Sequence, residues 1–132
     1  MKTNLDALYK TDKELELDGV WFTLSEETGF RLRRMGGAND QRVKKAMALY
    51  YKPIARQAEN DTLSADKELE VLINVFFDVA LVDWKGVEID GKEIPRTREN
   101  AQKLFRGLPE LFKNLQEHCS SMTSYKEDLG ND

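Results

Sequence analysis

Val20, Phe22 and Leu24 alternate with Trp21, Thr23 and Ser25, and Phe30 and Leu32 alternate with Arg31 and Arg33. A period of two puts each set on its own face of a strand. The link between the runs is "SEETG", short and polar, with Gly29 able to take a positive φ. The pattern predicts a β-hairpin with one apolar face. Two strands alone are marginal in water, so a helix is expected to cover that face. Upstream, "KELEL" alternates too and is a candidate third strand, with Asp18-Gly19 as turn or bulge.

After Gly36-Gly37 the period becomes helical. Val43, Met47, Tyr50, Ile54 and Ala58 share a face, and Asn39 or Asp40 can cap the first turn. Pro53 removes a backbone donor and predicts a kink or break near Lys52. The strongest helical pattern spans 64–84, with Ser64 as N-cap and Asp66, Glu68 and Glu70 in its first two turns. Leu69, Leu72, Ile73, Phe76, Val79 and Ala80 form one apolar stripe. Val71, Val75 and Val82 form a second beside it, and Phe77 widens it further. A helix this broadly apolar either runs through the domain or offers one stripe to another subunit. The central helix is the commoner cause.

Trp84 then meets a loop or small β excursion punctuated by Gly86, Asp90-Gly91 and Pro95, and the indole is expected to anchor it. Thr97 is the expected cap of a helix that buries Ala101, Leu104 and Phe105 and closes at Gly107. Leu108-Pro109 opens the last helix, which turns Leu111, Phe112 and Leu115 inward, with Cys119 a further candidate. The expected fold is α+β, mainly α: an N-terminal hairpin, with an optional third strand, packed on about four helices. One domain over 15–119 lies between an expected flexible N-terminus, 1–14, and a polar, flexible tail, 120–132.

Charge changes the picture by its segregation. Residues 30–56 carry Arg31, Arg33, Arg34, Arg42, Lys44, Lys45, Lys52 and Arg56 against Asp40 alone, a net +7. Residues 57–93 carry ten acids against Lys67, Lys85 and Lys92, a net −7. Two neighbouring elements that attract within one fold explain this; so do two patches meeting in a head-to-tail oligomer or on a partner. The basic run Arg31, Arg33, Arg34, Arg42, Lys44 and Lys45 and the second stripe Val71, Val75, Phe77 and Val82 are therefore the candidate contact residues. A nucleic-acid reading of "FRLRRMGGANDQRVKK" is weaker, because its one aromatic, Phe30, is in phase with the apolar face and the chain is net −4.

Little catalytic chemistry is encoded. One cysteine, Cys119, allows no internal disulfide and no Cys-rich zinc site. The one histidine, His118, is its neighbour, and adjacent helix residues diverge, so a surface histidine beside a buried thiol is expected. There is no phosphate loop, no metal-ligand spacing and no nucleophile elbow. No catalytic residue, metal or cofactor is expected. No apolar run reaches membrane-spanning length and no secretory pattern is visible, so the expected address is the cytoplasm.

In the order of its motifs the chain resembles the tail assembly chaperones of long-tailed, siphovirus-type bacteriophages. The resemblance runs over roughly 19–119: "GVWFTL" at 19–24, "FRLRRMGG" at 30–37, "VALVDWKGVEIDGKEIP" at 79–95, "TRENAQKLF" at 97–105 and "LPELFKNL" at 108–115. It implies a non-enzymatic protein that binds the tape measure protein, keeps it soluble and helps recruit tail tube subunits, in the host cytoplasm and outside the mature virion. It also implies that a longer, frameshifted form is common. Trp84, Gly86, Gly91 and Pro95 match that family's loop and are read as structural, the indole resting on the last two helices. Weak self-association through the second stripe and the opposite charges is expected from the residues themselves. The alternatives are a small interaction or regulatory module and a basic-patch nucleic-acid binder.

Overall fold

The computed structural model describes residues 2–126. It is an α+β fold, mainly α. Two short helices, α1 (Leu5–Tyr9) and α2 (Lys13–Asp18), lead into strands β1 (Val20–Thr23) and β2 (Gly29–Leu32), the predicted hairpin. The sheet has a third strand, but "KELEL" does not supply it. Asp12 caps that stretch into α2 by accepting from the N–H groups of Glu14 and Leu15. The third strand is β3 (Leu81–Lys85), antiparallel to β2 with Phe30 opposite Trp84 and Arg31 opposite Asp83. The long helix expected at 64–84 accordingly stops early: α5 is Ala65–Val79. A continuous apolar run does not by itself distinguish helix from strand, and the open edge of β2 claims "LVDWK".

Between sheet and α5 come α3 (Asp40–Tyr50) and α4 (Ala55–Glu59), separated by a 3-10 turn at Lys52–Ile54. The break falls where Pro53 predicts it. After β3, a two-stranded ribbon of β4 (Glu88–Ile89) and β5 (Lys92–Glu93) turns at Asp90-Gly91, both at positive φ. Helices α6 (Arg98–Gly107) and α7 (Pro109–Ser120) follow, α6 capped by the Thr97 side chain as expected.

The main core joins the inner sheet face (Phe30, Leu32, Leu81, Trp84) to Ile73 and Phe76 of α5, Leu104 and Phe105 of α6, and Phe112 and Leu115 of α7. A second cluster forms where α3 and the following turn bring Ala46 and Ile54 onto Val71, Val75 and Val79. The second stripe of α5 is thus consumed inside one chain, and Val71 and Val75 are buried. Their expected role as contact residues is overturned. Leu72, expected inward, is exposed, as is Met47 of α3.

The domain boundaries also differ. The Asp12 N–H donates to the Tyr125 carbonyl at 2.8 Å, which ties the N-terminal segment to the C-terminal one. Tyr125 is fully buried and its hydroxyl donates to the Leu32 carbonyl at 3.0 Å. Part of the expected flexible tail, through the 3-10 turn at Met122–Tyr125, is therefore folded structure. The rest of that tail, 127–132, lies outside the described residues.

Candidate functional site

The C-terminal end of α5 collects arginines from separate stretches of chain. Arg33 follows β2; its backbone N–H donates to the Ala80 carbonyl and its Nε to the Leu17 carbonyl, both at 2.8 Å. Burial pulls its guanidinium below the ordinary arginine value, and Arg42, Arg96 and Arg31 add to that by like-charge repulsion. Arg42 is exposed in the first turns of α3, and Arg31 points from the outer face of β2. Arg96 donates through Nε and Nη2 to the Leu81 carbonyl at 2.8 and 2.5 Å. Burial lowers its pKa too, while Asp83 and Asp78 act in the opposite sense.

Phe77 lies at the edge of this patch, half-buried, with the Arg96 guanidinium 4.3 Å and that of Arg98 4.9 Å from its ring centroid. Arg98 also donates from Nη2 to Asp78 Oδ1 at 2.6 Å, and the Tyr50 hydroxyl donates to the other oxygen of Asp78 at 2.5 Å. The ring is an apolar platform that holds two cations in place. Val82, expected on the helix, is half-buried in β3 instead. Such an arrangement can bind carboxylates or other anions through forked N–H donors.

Of the expected basic residues, Arg31 and Arg42 lie near enough to Arg33 to repel its charge. Lys44 and Lys45 are exposed on α3 and make no ion pair among the described residues. Arg34 leaves the set. Its Nη1 donates at 2.5 Å to the buried carboxylate of Glu16, which also accepts from the Ala38 N–H and the Thr11 hydroxyl. Burial raises the Glu16 pKa, but those bonds outweigh it and hold the group below its ordinary value. Gly37 makes room for this network: a Cβ there would lie 2.6 Å from a Glu16 oxygen. Arg96 and Arg98 were not legible as site residues. A usable signal existed in "PRTR": two cations sit around the first residue of α6, where the helix dipole disfavours them.

Trp84, Gly86, Gly91 and Pro95 lie in and around the ribbon. Trp84 is buried and its Nε1 donates to the Ile94 carbonyl at 3.0 Å, closing the ribbon over its base. Its ring meets Phe30 edge-on. Gly86, at φ +64, packs against the β1–β2 turn so closely that a Cβ would lie 2.1 Å from the Glu27 carbonyl oxygen. Gly91 takes positive φ in open space. The Pro95 carbonyl accepts from the Asn100 side chain at 2.9 Å.

His118 is not a plain surface residue. Its ring packs on Phe22 with centroids 4.6 Å apart, and burial lowers its pKa. Cys119 is fully buried, its thiol pushed up to about 12, which leaves it unreactive. Among the described residues no group of three His, Cys, Asp or Glu side chains could hold a metal ion. No helix among them is long and apolar enough to cross a membrane.

Fold and patch define a small α+β protein, mainly helical, with an arginine-rich surface at one end of its central helix. The chain belongs to the YdaY prophage protein family, whose model matches residues 38–132, and it is a phage-derived protein. No curated protein and no solved structure matches it.

Proposed function

We propose that this protein is a tail assembly chaperone that binds the tape measure protein of its phage, keeps it soluble and helps recruit tail tube subunits. It acts in the host cytoplasm, without catalysis or cofactor, and is absent from the finished virion. Phage ancestry supports this reading, as does the order of motifs from the "GVW" strand to the "LPELF" helix. The single observation that carries a binding role is the arginine patch around Arg33, where like charges from separate stretches of chain are held together on one surface. Folding alone favours dispersing such charges, because after burial it is like-charge repulsion from its neighbours that lowers the Arg33 pKa.

The test is co-expression with the tape measure protein from the same prophage. The chaperone reading expects that protein in the soluble fraction, and in a complex with this chain, only when this chain is present. Arg31→Glu with Arg42→Glu should reduce the complex. A tape measure protein whose solubility is indifferent to this chain would sink the reading and favour a regulatory module.

A further inference from the structure

We infer that the arginine patch is the socket for a second copy of this chain, and that it receives the exposed acids around the N-terminus of α5, Glu59, Asp61 and Glu68. This deepens the binding role proposed above by naming a surface and its occupant.

The two segments of opposite charge meet only in part within the chain, where Arg31 stands opposite Asp83 in the sheet. None of the four ion pairs among the described residues joins residues 30–56 to residues 57–93. The reason is placement along α5. The arginine end is fixed by the bonds from Arg33 to Ala80 and from Arg96 to Leu81, immediately past the helix C-terminus. These three acids are exposed and flank the helix N-terminus at Ser64, while Asp66 is engaged by Arg106 of the same chain. Fifteen residues of helix separate the ends by about 22 Å. That is well beyond the ~8 Å Debye length at physiological salt. The helix dipole accounts for Asp66 and Glu68, which lie in the first turn. It does not account for Glu59, which precedes the helix, or for Arg31 and Arg42, which belong to other elements.

One molecule therefore carries a socket at one end and its complement at the other. Such a contact is heterologous: each added copy leaves one free end of each kind, so assembly is open and grows with concentration. Arginine forks and carboxylates also fix the relative orientation, through paired N–H···O bonds. A nucleic acid suits the patch less well. Asp78 and Asp83 lie beside Arg96, and the Phe77 ring is already engaged by two guanidinium groups.

Sedimentation of the full chain at low and at physiological ionic strength tests this. The expected result is a mass that rises with concentration at low salt and falls back toward the monomer as salt is added. Arg31→Glu/Arg42→Glu, which removes the socket, and Glu59→Lys/Glu68→Lys, which removes the insert, should each stay monomeric alone. Arg42, Glu59 and Glu68 are exposed and Arg31 is half-buried on the outer face of β2, and circular dichroism checks that each variant is folded. Mixing the two variants should restore association, because each supplies what the other lacks. A wild-type monomer at every concentration in low salt overturns the inference. So do variants that associate as the wild type does, or a mixture that stays monomeric. A monomeric chain that still solubilises the tape measure protein would refute this contact and leave the chaperone proposal standing. An associating chain with no effect on that protein would do the reverse.

Discussion

Trp84 ties the three-stranded sheet to the ribbon that follows it. It belongs to β3, sits edge-on to Phe30 of β2, and bonds through Nε1 to Ile94 beyond β5. Replacing it with alanine should cost roughly 3–5 kcal/mol, as expected for deletion of a buried aromatic. A chemical denaturation curve shifted by less than about 1 kcal/mol would mean that the indole is not core. The glycines of the same loop give a paired test. Gly91→Ala meets only the left-handed backbone penalty of about 1–2 kcal/mol, since nothing lies within 4 Å of its Cβ. Gly86→Ala adds a clash with the Glu27 carbonyl and should cost clearly more. Equal melting shifts for the two would refute that account. The importance of Trp84, Gly86, Gly91 and Pro95 is legible from local punctuation. What Gly86 approaches is not, because Glu27 is far away in sequence.

At the scale of elements, α2 is held by one charged group. Glu16 lies almost wholly buried, at 2% exposure, and links α2 to Arg34 and to the start of the α3 region at Ala38. The period-two pattern of "KELEL" is genuine, yet Leu17 ends up exposed and Glu16 inside. The Asp12 cap and the ion pair outweigh the apolar alternation. Because the folded pKa of Glu16 lies below the ordinary value of 4.5, the unfolded chain takes up a proton first as pH falls. The contribution of this group is thus complete above that value and is lost as pH drops through and below it. Glu16→Gln should destabilise the neutral protein by roughly 2–3 kcal/mol and flatten its stability profile over this acidic range. Urea midpoints measured from neutral to acidic pH decide the matter; parallel profiles for wild type and variant would rule it out.

At the scale of the whole molecule, the basic and acidic ends of α5 make a dipolar particle with a net charge of −4. Duplex DNA should not be retarded at physiological salt, because the acidic surface repels phosphates that the patch attracts. Tight binding with a steep salt slope in a gel-shift titration would instead make the arginines a nucleic-acid site. The candidate patch is itself a product of this scale. Arg31, Arg33 and Arg42 come from one basic stretch, but Arg96 arrives from beyond β5, and Arg34 is drawn away by a carboxylate eighteen positions upstream.

Local chemistry settled much in advance. The hairpin, the caps at Ser64 and Thr97, the break at Pro53 and the inward faces of α6 and α7 follow from periodicity, side-chain oxygens and missing donors. Each acts within a turn or two of the chain, so each can be read in place. The helix-to-strand change at 80, the helical "KELEL", the burial of Val71 and Val75 and the folded position of Tyr125 could not be read that way. They depend on which distant surface is free to receive them: the edge of β2, the carboxylate of Glu16, the apolar side of α3 and the carbonyl of Leu32. An apolar stripe records only that something must cover it, and in this chain α3 covers the second stripe of α5.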